Sequence, residues 1–303
     1  MRSRTAVAAL LLAAVIPIGP PATAGTTVKT GAAGTAATIA YAKLAPDWQL
    51  VLTDGRKVNV PQAFVKAPAD AVNSGYPVPF VISEDGRHFF YYRRSDGLLV
   101  ERMLGGGERV VSRRITVDNV GEEWPMVSAD GSYVITRTSA PGLGVFVDLR
   151  TGKTAGPPEK DDTWAVAGFS PDQQRLLLAK ERELVVFDRG LRARKRLKSS
   201  LEPWALANDH VTAAVPVCKK DRCRGLRLLD LRTGRATAPV TVRLPSGRYI
   251  DDLNFDRAGR VIVRTATRTK ITFYRASAKT GKVKKLRTVT RVKGRVLPGD
   301  DRL

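Results

Sequence analysis

From residue 39 onward, apolar and polar positions alternate in short runs of four to eight residues. Examples are IAYAKLA at 39–45, RHFFYYRR at 87–94 and LLVERML at 98–104. Runs of this length, rich in β-branched and aromatic residues and bounded by Gly, Asp, Asn or Pro, predict strands exposed on one or both faces. No stretch after residue 25 keeps a helical period. The strands are punctuated by two kinds of turn. An acidic turn occurs as SEDG at 83–86, SADG at 128–131, SPDQ at 170–173, AND at 207–209 and DRAG at 256–259. A second turn occurs as DLRTGK at 148–153, DLRTGR at 230–235 and SAKTGK at 277–282. Together they repeat about every 40–45 residues, the period of a four-stranded propeller blade.

Blade 1 is incomplete, with about three strands in 39–60. Blades 2 to 6 are expected at about 78–111, 123–155, 162–197, 202–239 and 250–287. Residues 288–299 (TVTRVKGRVLPG) are one spare strand-like segment. A short first blade and a spare last strand complement each other: the C-terminal strand is expected to pair into blade 1, close the ring and remove two exposed edges. The fold class is therefore all-β.

The strand–Ser-x-Asp-Gly–strand turn followed by Asp-Leu-x-Thr-Gly-Lys resembles the WD40-like repeats of TolB-type propellers, over about 78–287. Blades 4 to 6 depart from that pattern: Gln173 stands where the turn Gly is expected, and blades 5 and 6 lack the Ser. The resemblance implies six blades around a central channel. It also implies a domain that often binds partners and sometimes accompanies a catalytic domain.

The first residues change the picture of where this fold works. Arg2 and Arg4 precede an apolar stretch at 6–16, followed by Pro17, Pro20, Pro21 and the small-x-small sequence Ala22-Thr23-Ala24. This predicts a signal peptide over 1–24, since eleven apolar residues fall short of the roughly 20 that span a bilayer. Residues 25–38 are small and nearly uncharged, and read as a flexible leader before a single domain at 39–303. The expected location is secreted or envelope-associated, with no transmembrane segment. Cys218 and Cys223 flank a short charged turn between strand-like runs, which in an exported chain predicts a hairpin disulfide.

Charge adds a second feature. The chain carries a net +22, and between Arg257 and Pro298 it holds 14 Lys and Arg and no acid. A second basic run is RGLRARKRLK at 189–198. A field of this sign attracts polyanions. No nucleic-acid recognition motif is present, so the expected partners are a protein or an anionic envelope polymer.

Against this background, acids collect before the first strand of successive blades, each near an aromatic residue. They are Glu122 and Glu123 with Trp124, Asp161 and Asp162 with Trp164, Glu202 with Trp204, and Asp251 and Asp252 near Tyr249. Ring closure would bring these lead-in positions to the channel mouth, where carboxylates and indole faces suit a cation or a sugar. The acids of the tight turns (Asp85, Asp130, Asp172, Asp209, Asp256) are expected to bond their own backbone two residues on. His88 and His210 have no metal-ligand spacing, and no nucleophile elbow or phosphate loop occurs. No catalytic residue, cofactor or metal is expected. The reading is a monomeric, non-catalytic binding or scaffolding propeller; the alternative is a hydrolase or lyase using carboxylates at the mouth.

Overall fold

The computed structural model describes residues 37–119, 125–137, 143–156, 164–290 and 294–299. These form six four-stranded antiparallel sheets set as blades in a ring. Blade 1 holds β1 (Ile39–Leu44), β2 (Trp48–Leu52) and β3 (Lys57–Val60). Blade 2 holds β4 (Phe80–Ile82), β5 (His88–Tyr92), β6 (Leu99–Met103) and β7 (Glu108–Val110). Blade 3 holds β8 (Met126–Val127), β9 (Tyr133–Arg137), β10 (Leu143–Asp148) and β11 (Lys153–Ala155). Blade 4 holds β12 (Ala165–Phe169), β13 (Arg175–Lys180), β14 (Glu183–Asp188) and β15 (Ala193–Lys198). Blade 5 holds β16 (Ala205–Leu206), β17 (Thr212–Lys219), β18 (Arg222–Asp230) and β19 (Val240–Thr241). Blade 6 holds β20 (Asp252–Phe255), β21 (Val261–Ala266), β22 (Lys270–Ala276) and β23 (Val283–Thr290).

The closing strand is β24 (Arg295–Val296), which pairs antiparallel with β1 through Ala42↔Val296 and Lys43↔Arg295. It supplies the innermost strand of blade 1, so the expected closure is present, with narrower bounds. Residues 288–290 belong to β23, and among the described residues 295–296 pair into blade 1 and close the ring. In blade 5 the outer strand lies beyond the expected limit of 239, because the DLRTGR turn leads first to a bridge (Leu229↔Ala236) and only then to β19.

The repeated turns explain the regularity. Asp85 Oδ1 accepts bonds from Ser83 Oγ (2.5 Å) and Arg87 N (3.0 Å), and Asp130 Oδ1 from Ser128 Oγ (2.8 Å) and Ser132 N (3.0 Å). Gly86 and Gly131 take φ of +68° there. Where the Gly is missing the backbone keeps its shape: Gln173 and His210 adopt φ of 60° and 61°. A left-handed non-glycine residue is uncommon, and Gln173 is held in place by its own Nε2–H donating to Ser170 O at 3.0 Å.

Cys218 and Cys223 are disulfide-bonded across the β17–β18 hairpin at facing positions. Among the described residues no helix is long and apolar enough to cross a membrane.

Apolar side chains fill the seams between neighbouring blades. Phe80, Phe89 and Tyr91 of blade 2 pack with Trp48 and Leu50 of blade 1. Separate clusters join blades 2 and 3, 3 and 4, 4 and 5, and 5 and 6. Residues 61–79, between blades 1 and 2, add Ala67, Ala71 and Val78 to the second of these cores.

Candidate functional site: the central channel

The innermost strands β4, β8, β12 and β20 line a common cavity of about 500 Å³. Each runs outward from its lead-in residue to its acidic turn, so the cavity has two chemically distinct ends. In blade 6, Asp252 and Asp256 both line it. They are separated by one short strand, roughly 13 Å at the usual rise per residue.

At the turn end, Glu84, Asp85, Asp130, Asp256 and Arg257 contribute to the wall. The turn aspartates are tied down as the sequence predicts. Burial alone would raise the Asp130 carboxyl, but bonds from Ser132 and Ser128 and the Arg150 guanidinium (2.6 Å) outweigh it and bring it down to about 2. Burial is likewise overridden at Asp172, Asp209 and Asp256, whose hydrogen bonds lower them below the usual carboxylate range.

At the lead-in end, the expected mouth residues fall into three groups. Glu122, Glu123, Trp124, Asp161 and Asp162 lie outside the described residues. Glu202 is exposed, and Trp204 is half-buried and lines the channel. Asp251 and Asp252 flank one guanidinium: Arg264 Nε lies 2.9 Å from Asp251 Oδ2, and Arg264 Nη2 lies 3.8 Å from Asp252 Oδ2. The side chain of Arg264 is only 10 % exposed.

Trp164 and Trp204 each immediately precede the first strand of their blade, yet their surroundings differ. Trp164 is 1 % exposed, packed edge-on against Phe187 within the seam of blades 3 and 4. Of the described aromatic residues named for the mouth, Trp204 is the one that reaches the channel wall.

Arg264 was not singled out by sequence. It sits in an acid-free basic stretch that reads as outer surface, and only its register opposite Asp252 places it inside. Its strand alternation was visible, but which side of the sheet faces the channel was not.

No protein-family model matches the chain, and no curated protein matches it. Among solved structures, similar ones include a protein assigned as TolB from Agrobacterium tumefaciens, at 13 % identity over 84 % of this chain and 89 % of that one, with a TM-score of 0.47. Virginiamycin B lyase from Staphylococcus aureus matches at 13 % identity over 74 % and 73 %, with a TM-score of 0.41. Dipeptidyl peptidase 4 from Porphyromonas gingivalis matches at 12 % over 71 % of this chain but only 40 % of its own length, with a TM-score of 0.39.

Proposed function

We propose that the protein is an exported, non-catalytic binding propeller whose basic rim engages an anionic envelope polymer. The observation that carries this is where the positive charge lies. The outermost strands of blades 4 and 6, β15 and β23, carry Arg194, Lys195, Arg196 and Lys198, and Lys284 and Lys285. An outermost strand faces away from the channel, so this charge is presented to large partners. Arg194 and Arg196 are partly balanced by Asp188 and Glu183, whereas no acid occurs in the sequence from 257 to 298.

Within this reading the channel mouth takes a positively charged part of a protein partner. Arg264 between Asp251 and Asp252 is an internal instance of the chemistry such acids accept.

The test is titration with poly(glycerol phosphate). Affinity should fall steeply between about 0.1 M and about 1 M salt, as the Debye length contracts from about 10 Å to about 3 Å. Replacing Lys284 and Lys285 together with Glu should weaken binding at low salt by about tenfold or more. Salt-independent binding, or none at low salt, would reduce the rim to a solubility feature.

A further inference from the structure

Among the described residues, the seam between blades 6 and 1 has no buried apolar cluster, unlike the other five. In its place is a slot of about 240 Å³. A smaller cavity of about 160 Å³ adjoins it, and the central channel opens beside both: Glu84, Arg264 and Gly299 are walls of all three. The slot is thus a radial side arm of the channel.

Its blade 6 wall is built by cross-strand register. Arg264 faces Phe273, and Phe273 faces Arg287, so these three side chains share one face of the sheet. Ile271 and Val289, the next pair on that face, extend it as an apolar floor. Thr38, Ile39, Ala40 and Thr53 form the blade 1 wall, and Glu84 closes the corner.

The charges are the unusual part. Arg264 is neutralised by Asp251 and Asp252. Arg287 lies over Phe273, its guanidinium carbon 4.5 Å from the ring centroid, and has no acidic partner among the described residues. A guanidinium held over a ring by cation–π attraction keeps N–H donors available for a carboxylate. Across the slot, Glu84 has no hydrogen-bond or ion-pair partner among the described residues, whereas Asp85 beside it is occupied by Ser83 and Arg87. Two opposite charges therefore line one partly apolar cavity without pairing with each other.

From this juxtaposition we propose that the slot binds a zwitterion of amino-acid size with an apolar side chain. The carboxylate meets the N–H donors of Arg287, the ammonium meets Glu84, and the side chain lies against Ile271, Val289 and Leu297. The volume is below the roughly 300–1,000 Å³ of sites that take drug-sized ligands, which fits a single residue better than a longer peptide.

Calorimetric titration of the chain lacking residues 1–24 with L-leucine and L-phenylalanine tests this. Saturable binding is expected. 4-Methylpentanoate, which lacks the ammonium, and 3-methylbutylamine, which lacks the carboxylate, should each bind at least about tenfold more weakly, the factor expected from one lost charge-assisted contact. Arg287→Met and Glu84→Gln should each cost about as much for leucine, with an unchanged melting temperature because both residues are exposed. Ala40→Trp, which fills the slot without altering charge, should abolish binding while leaving the outer lysines and polymer binding intact. Failure of both amino acids to bind at millimolar concentration would overturn the proposal. So would binding that survives all three substitutions, binding of 4-methylpentanoate as tight as leucine, or binding seen only after residues 25–36 are also removed.

Discussion

Among the described residues, five seams of this ring are filled by a buried apolar cluster and one is not. Between blades 3 and 4, Ile135 and Phe146 meet Leu178, Val185 and Phe187, and Arg189 bridges to Asp148 at 2.6 Å. Between blades 5 and 6, Phe255, Val261 and Tyr274 pack on Leu226 and Val242, and Arg243 N–H donates to Gly281 O at 2.8 Å. Between blades 6 and 1, a cavity stands where the apolar core would be, and no hydrogen bond joins the two blades among the described residues. Identical repeats would give six identical seams. The difference shows that the ring is held shut at its last joint by one strand inserted into blade 1, rather than by face-to-face packing.

The largest effect should come from removing that strand. Deleting residues 294–303 takes away β24 and exposes the inner edge of β1. It also removes Gly299, whose N–H donates to Ile82 O at 2.9 Å. A loss of several kcal/mol in urea unfolding is expected, since single buried contacts already contribute about 1 kcal/mol. Unchanged stability would mean that blade 6 packs on blade 1 after all, and the comparison would collapse.

Two glycine and carboxylate positions sharpen it. A Cβ on Gly281 would stand 1.9 Å from Thr241 O in the seam of blades 5 and 6, at φ +67°. Gly281→Ala should therefore cost more than about 4 kcal/mol, because backbone must move. Glu84→Gln in the open seam should stay within about 0.5 kcal/mol. Phenylalanines give a matched pair: Phe187→Ala, in a closed seam, should cost about 3–5 kcal/mol. Phe273→Ala, beside the slot, should cost about 1 kcal/mol by its smaller burial. Similar losses for the two would show that the open seam contributes as much as the others.

The smallest effect concerns the seam of blades 2 and 3, where His88 abuts Gly131. His88 Nδ1 lies 2.5 Å from Glu101 Oε1, and that bond raises its pKa despite the opposing effect of burial. A raised folded pKa means that the stabilisation is complete below the unfolded value of about 6.5 and disappears as pH climbs through the folded one. The melting temperature should therefore decline on passing from slightly acid to mildly alkaline buffer. His88→Gln should flatten that slope, and a slope unchanged by the substitution would assign it to other groups.

The strands and turns were legible because their cues are local: period-two alternation, and Asp-centred turns that bond their own backbone. Even the broken turn at Gln173 kept its position, since the hydrogen bonds of Asp172 to Ser170 and Gln174 survive without the glycine. Ring closure was legible from the missing strand of blade 1. Residues 61–77 were not assigned, because their contribution comes from the tertiary burial of Ala67 and Ala71 rather than from any periodic pattern. The slot was invisible for a related reason. Alternation tells which residues of β21, β22 and β23 share a face, but not that the neighbour on that side would be withheld. The contrast between Trp164 and Trp204 shows the same limit: the same place before a strand, and different walls around it.

The closing strand also has a temporal side. β1 is among the first segments of the domain and its partner β24 is the last, with Ala42 paired to Val296 across the whole ring. The entropy of bringing such distant segments together grows only logarithmically, about 0.6 kcal/mol per doubling of length, so equilibrium stability hardly registers the separation. Folding speed does, because pairings this far apart in sequence form late. Until β24 docks, β1 presents an unpaired edge that another chain can occupy. The interval between building blade 1 and completing it is therefore when this molecule is most open to association with its own kind.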